Sequence, residues 1–233
     1  MFVERLVVTD FQTNAYIVTA AQPGSSDQRR GCVLIDPGGE ADLIVARLRH
    51  LRLCPELIIN THGHADHIGA NAALKERFAG VIIATGRGDA SLLRSPIRNM
   101  AIFFGRWTKS PQPDRLLADG DLVEAVGLNF RVRELPGHTR GHICLVAEAE
   151  TPPVAFCGDT LFAGSIGRTD LPGGSQRELL QGIDRVLLSL PPDTILYPGH
   201  GPATTVGTER AQNPFLESLR QQARRSPGRS NEP

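Results

Sequence analysis

The sequence predicts an α/β fold in which mixed β-sheets carry helices on their outer faces. Three observations point there. Short β-branched runs follow one another near the N-terminus and return from residue 121. Stretches with apolar residues at helical spacing lie between such runs, where crossover connections belong. No repeat of about 20–50 residues is visible, which sets repeat architectures aside.

In chain order, FVERLVV and NAYIVTA read as strands, and CVLIDPGG is an apolar run stopped by Pro37 and a glycine pair. The polar AQPGSSDQRRG at 21–31 reads as a turn or hairpin loop. Residues 40–52 place Leu43, Val45, Ala46, Leu48 and Leu51 at helical spacing. PELIIN is a strand, HIGANAALKERF a helix beginning near Ile68, and GVIIAT a strand. Residues 86–120 are rich in Gly, Pro and Arg and read as an insertion or lid with short helical pieces. LVEAV, NFRVRELP, HICLVAEA and PVAFCGD restore the strand pattern. SQRELLQGIDRVLLSLP is a helix with Leu179, Leu180, Ile183, Val186, Leu187 and Leu190 on one side. TILYPGHG is a strand running into a loop, NPFLESLRQQARR a C-terminal helix, and 226–233 a disordered tail.

Composition narrows the function classes. Lys+Arg and Asp+Glu both number 25 in 233 residues, so the formal net charge is zero. That balance supplies no basic footprint for nucleic acid and no polybasic membrane signal. No run approaches the roughly 18 apolar residues of a membrane span, and MFVERLVVTDFQTN lacks the pattern of a signal peptide. The four cysteines form no C-x-x-C pair and are expected to be reduced, mostly buried thiols. Cys157 is read as one of these. The expectation is a cytoplasmic protein, monomer or homodimer, acting on a small molecule.

The chemistry concentrates in THGHADH, Thr61 to His67, which holds three of the seven histidines. His62 and His64 follow a strand, and alternate residues of an extended backbone point the same way. Asp66 and His67 follow as the chain turns into a helix, so the segment offers ligands for two ions. His138 in ELPGHTRG, Asp159 in AFCGDTLF and His200 in ILYPGHG each lie just after a strand, in a glycine-marked loop. In open α/β sheets, sites collect at the carboxyl ends of strands. Gly158 lets the backbone approach closely beside Asp159. Isolated loop histidines are ordinarily solvated or hydrogen-bonded, and His50 and His142 are read that way.

H-x-H-x-D-H at 62–67, GHT at 137–139, GDTLF at 158–162 and PGH at 198–200 resemble the metallo-β-lactamase superfamily of metal hydrolases. The similarity runs from about residue 3 to residue 220. It implies an αββα four-layer sandwich, two mixed β-sheets flanked by helices, as a single domain over 1–225. By motif, His62, His64 and His138 resemble the ligands of a first metal, and Asp66, His67 and His200 those of a second. Asp159 resembles the carboxylate that bridges them. Asp66 and Asp159 are the expected catalytic carboxylates.

Two divalent ions so held imply a hydrolase working through a metal-bridging hydroxide. Two carboxylates and a hydroxide leave a small net positive charge, matched to an oxyanion. Histidine-rich ligation favours zinc, with iron or manganese also compatible. Asp159 stands where zinc β-lactamases typically carry a cysteine or no bridging ligand, which disfavours penicillin-type activity. His64 disfavours flavodiiron redox chemistry.

GDTLFAGSIGRTDLPGGS resembles a short, glyoxalase II-like branch, implying a thioesterase acting on hydroxyacylglutathione or a related small thioester. Arg168 stands in the region where glyoxalase II carries a glutathione-binding lysine, and a guanidinium can clamp a carboxylate there. Only 33 residues follow His200, fewer than the helical domain with which glyoxalase II grips glutathione. The 86–120 segment, with Phe103, Phe104 and Trp107, could hold the substrate instead, although the aromatic cluster itself is read as core. The alternative is a mononuclear-iron persulfide dioxygenase, whose GRTD signature the chain shares. A third is a non-catalytic metal-binding module.

Overall fold

The computed structural model describes residues 1–23 and 30–225. The expected loop at 21–31 falls partly, and the expected tail at 226–233 wholly, outside the described residues.

Strands β1 (Phe2–Val8), β2 (Thr13–Thr19) and β3 (Arg30–Ile35) pair antiparallel in succession. Helix α1 (Ala41–His50) crosses over to β4 (Leu53–Asn60), which lies parallel to β3. Helices α2 (Ala65–Ile68) and α3 (Asn71–Arg77) lead to β5 (Ile82–Gly86), parallel to β4. After α4 (Ala90–Leu93) and a 3-10 turn at 101–104, β6 (Arg115–Leu117) closes this sheet parallel to β5. Its strand order is β1-β2-β3-β4-β5-β6.

The second sheet begins with an antiparallel meander of β7 (Leu122–Ala125), β8 (Leu128–Glu134), β9 (Ile143–Ala147) and β10 (Val154–Gly158). A ribbon of β11 (Leu161–Phe162) and β12 (Ser165–Ile166) follows. Helix α5 (Gln176–Gly182) runs into a π-helical turn at 183–187, and β13 (Ile195–Pro198) then pairs parallel with β10. β14 (Thr204–Thr205), α6 (Val206–Gln212) and α7 (Glu217–Arg225) complete the described chain. The order is β14-β13-β10-β9-β8-β7.

Side-chain alternation explains the layering. Tyr16, Val18, Val33, Ile35 and Ile59 point from the first sheet at Phe130, Val132, Leu145 and Phe156 of the second. Their neighbours Ile17, Leu34 and Ile58 point the other way, onto Ile44, Leu48 and Leu74 of α1 and α3. Val146, Ala155 and Leu196 face Leu179, Ile183, Val186 and Leu187 of the α5 segment. Central strands covered on both faces read as continuous apolar runs rather than alternating ones. Three buried layers make the four-layer αββα sandwich that the family resemblance implies.

Four local readings change. The helix expected over 67–78 is two helices. It starts earlier, so Asp66 and His67 lie in the first turn of α2. It breaks at Gly69, where an added Cβ would sit 2.2 Å from the Gly38 carbonyl oxygen. Within 86–120, β6 is an integral sheet strand. β14 and α6 arise from GPATTVGTER, a β-branched, glycine-containing stretch with weak helical propensity. Thr205 caps α6 by accepting from the Thr208 N–H at 3.2 Å. Finally, Phe103 and Trp107 are 67% and 71% exposed, so FFGRW is not core.

Among the described residues no helix is long and apolar enough to cross a membrane. All four cysteines are free, and Cys32, Cys144 and Cys157 are buried.

Candidate metal centre

The seven singled-out residues meet at one edge of the two sheets. β4 delivers His62, His64, Asp66 and His67; the β8–β9 loop delivers His138; β10 delivers Asp159; β13 delivers His200. Tight backbone packing makes this possible. Gly158 has φ +49°, and a Cβ there would lie 2.4 Å from Thr61 Oγ1 and 2.6 Å from His142 Nε2. Only glycine fits, and it sets Asp159 facing the histidines. The Asn14 N–H donates to the Gly199 carbonyl at 2.7 Å, locking the His200 loop to β2 of the first sheet.

His62 Nε2 and His138 Nε2 lie 3.1 Å and 2.9 Å from His64 Nδ1. His67 Nε2 is 3.4 Å from Asp66 Oδ2 and 3.5 Å from Asp159 Oδ1. His200 Nε2 is 3.4 Å from Asp66 Oδ2 and 3.3 Å from Asp159 Oδ2. Asp159 Oδ2 is also 3.7 Å from His138 Nε2, so this carboxylate touches both groups.

The outer nitrogens of four rings are already engaged. His138 Nδ1–H donates to the Arg168 carbonyl at 2.8 Å, His200 Nδ1–H to the Phe11 carbonyl at 3.0 Å, and His67 Nδ1–H to Asp36 Oδ2 at 3.0 Å. Thr61 gives its hydroxyl proton to Asp36 Oδ2 at 2.6 Å and so accepts from His62 Nδ1 at 3.2 Å. In its neutral form each ring is thereby left with a lone pair on the inward-facing Nε2, the arrangement of metal-ligating histidine. Facing lone pairs repel unless a proton or a metal ion lies between them. His67 Nε2 and Asp159 Oδ1 are buried without a hydrogen-bond partner. The ring-nitrogen separations approach the edge of a tetrahedral zinc site, about 3.3 Å for zinc–nitrogen distances of about 2.0–2.1 Å. The donor set therefore fits divalent ions.

Electrostatics divides the centre. Burial, reinforced by neighbouring imidazoles, pushes His62 well down and His64 down to about 3. Burial also opposes charge on His67, but Asp66, Asp159 and Asp36 outweigh it and raise His67 well above its ordinary value. The same contest raises His200 to about 10, through Asp159 and Asp66. Asp159 is held well below the usual carboxylate range because His67 and His200 overcome its burial. One half thus favours neutral imidazoles, the other holds protons that an ion would displace.

Three supporting residues escaped the sequence reading. Asp36 accepts from the Thr61 N–H at 2.7 Å and from its hydroxyl, besides holding His67. Its signal was its position, an aspartate ending an apolar strand beside the histidine strand. Asp89, fully buried, accepts from the Gly63 N–H at 3.0 Å, the Thr139 hydroxyl at 2.6 Å and the Gly141 N–H at 2.8 Å. It ties the His62–His64 turn to the His138 loop. His142, expected to be solvated or hydrogen-bonded, is buried and hydrogen-bonded; its Nε2 accepts from the Asp159 N–H at 3.1 Å, and its ring stacks on His62. His50 is exposed at the end of α1.

A cleft of about 340 Å³ opens above the centre, floored by His64, Asp66, His138, Asp159 and His200. Met100, Phe104 and Leu171 wall it, with Phe11, Arg106 and Arg168 at the rim. The Arg168 guanidinium pairs with Asp170 through two contacts of 2.8 Å.

A sequence profile of the metallo-beta-lactamase superfamily matches residues 8–200. The chain belongs to that superfamily. It is 38% identical to hydroxyacylglutathione hydrolase GloC of Haemophilus influenzae, covering 94% of this chain and 99% of the relative. Among solved structures, BLEG-1 B3 metallo-beta-lactamase superposes with a TM-score of 0.84 at 35% identity, covering 92% of this chain and 99% of that one. TTHA1623, solved in a di-iron-bound form, gives a TM-score of 0.78 at 38% identity, covering 92% and 100%. Superfamily membership and the His/Asp clusters make this a metal-dependent hydrolase that takes divalent ions.

Proposed function

We propose that the protein is a binuclear thioester hydrolase of glyoxalase II type, acting on hydroxyacylglutathione or a related small thioester. The convergence of four inward-facing histidine Nε2 atoms, each set by an outer hydrogen bond, carries the reading. His62, His64 and His138 would hold one ion, Asp66, His67 and His200 the other, and Asp159 would bridge them. Zinc suits the imidazole-rich set, while the di-iron form of TTHA1623 keeps iron in play. When bound, the pair supplies Lewis-acid polarisation of a carbonyl and a water of lowered pKa.

The chain's own groups do the rest. Thr13 donates its hydroxyl to Asp66 Oδ2 at 2.9 Å and fixes that carboxylate. His142 fixes Asp159 through its backbone N–H. Asp66 and Asp159, oriented in this way, keep their carboxylates on the cleft floor beside His67 and His200. Met100, Phe104 and Leu171 limit water around the acyl group. Arg168 clamps a substrate carboxylate by exchanging its partner Asp170, since exposed ion pairs are weak.

Support for the thioester comes from the named activity of GloC, similar over nearly the full length of both chains. The test is hydrolysis of S-lactoylglutathione and of a β-lactam by zinc-loaded protein, alongside oxygen uptake on glutathione persulfide by iron-loaded protein. A kcat/KM of about 10⁴ M⁻¹s⁻¹ or more for the thioester is expected. Negligible thioester turnover with oxygen uptake on the persulfide would transfer the assignment to a persulfide dioxygenase. Preferential β-lactam hydrolysis would align the protein with BLEG-1.

A further inference from the structure

Resting on the thioesterase reading, we infer that Arg106 selects thiol carriers bearing a carboxylate, and that Asp10 occupies its guanidinium until such a carrier arrives. Arg106 lines the cleft and ion-pairs with Asp10 in the β1–β2 turn. Asp10 is outside the cleft lining, and its side chain is 88% exposed. Solvent screens such a pair, so exchanging one carboxylate for another costs little. The contact itself displays the ligand chemistry, because a planar fork that takes an aspartate takes any accessible carboxylate.

Arg106 and Arg168 are the cations that line the cleft, whose floor carries Asp66 and Asp159. The Arg106 guanidinium carbon lies 5.9 Å from the centre of the Phe11 ring, a cation–π platform that limits the fork's motion. Phe11 is itself held edge-on by Phe104, with centroids 4.7 Å apart. Arg106 lines the same cleft as His64, His138 and His200, so a carrier held there can turn its acyl end to the histidines and its carboxylate to Arg106. Arg106 touches no reacting group, so it should act on binding rather than on chemistry.

Binding is read without turnover by isothermal titration calorimetry, since Trp107, the only tryptophan, is 71% exposed and outside the cleft lining. Glutathione is titrated into wild-type, Arg106→Gln, Arg106→Lys and Asp10→Asn proteins. Loss of the charge-assisted contact should weaken binding about tenfold in Arg106→Gln and less in Arg106→Lys. Asp10→Asn should tighten it about two- to threefold, by removing the competing carboxylate. A residue serving only structure would not move the two variants in opposite directions.

In parallel, KM is measured on metal-loaded protein with S-lactoylglutathione and with S-lactoyl-N-acetylcysteamine, whose carrier has no carboxylate. Arg106→Gln should raise KM for the first about tenfold at constant kcat and leave the second unchanged. Glutathione binding that is absent, or equal in wild-type and Arg106→Gln proteins, would overturn the inference. If no thioester is hydrolysed by any of the proteins, the thioesterase reading fails, and the calorimetric titration still decides the role of Arg106.

Discussion

Asp89 accepts the Thr139 hydroxyl at 2.6 Å, joining two loops that lie 50 residues apart in the chain. With the Gly63 and Gly141 amides on the same carboxylate, it fixes the spacing between the His62–His64 turn and His138. Truncation in Asp89→Ala leaves three buried donors unpaired. A loss of about 2–4 kcal/mol is expected, read from urea midpoints at unchanged slope. Zinc affinity should fall more at His62, His64 and His138 than at Asp66, His67 and His200. Equal losses at both would reduce Asp89 to a general stabiliser.

Asp159 contacts His67, His138 and His200 through its two carboxylate oxygens. Asp159→Asn keeps the shape and removes the charge. It should weaken ion binding in both groups and abolish turnover. Full metal stoichiometry with normal activity would rule out bridging.

Acid should remove the ions in sequence. His67 and His200 have raised pKa values, so at neutral pH an ion must displace protons from both. His62 and His64 are pushed down and release none at neutral pH. As pH falls, proton competition therefore grows first at Asp66, His67 and His200. Stoichiometry measured after dialysis should step from about two ions to about one before reaching zero. Simultaneous loss would contradict this division.

Phe156 is buried between the sheets, stacked on Tyr197 at 5.3 Å and edge-on to Tyr16 at 5.4 Å. Phe156→Ala should cost about 3–5 kcal/mol, visible in thermal or denaturant unfolding. A cost below about 1 kcal/mol would mean that the inter-sheet layer closes around the vacancy.

The strands and the clustered ligand motifs were readable because each obeys a local rule: apolar runs stopped by Gly or Pro, and polar residues at strand ends. The superfamily resemblance supplied the pairing of the two sheets, which no local pattern carries. Asp36 and Asp89 escaped because their roles depend on donors distant in sequence; within RGD, Asp89 reads as an ordinary surface acid. FFGRW misled for the opposite reason. Aromatic residues favour burial, but whether a segment lies under a sheet or along a cleft rim is set by tertiary contacts. The break at Gly69 follows from the approach of the Gly38 carbonyl, which helical periodicity does not encode.

The division of the centre between two sheets has a practical consequence. The turn at Asp119 and Gly120 separates β6 from β7, and with them His62, His64, Asp66 and His67 from His138, Asp159 and His200. A chain cut there yields two fragments, each with an incomplete ligand set. Neither the His62–His64–His138 group nor the Asp66–His67–His200 group closes within one fragment. Zinc would then act as a coincidence detector, held by the full ligand set only where the fragments have met, and the same ion would draw them together.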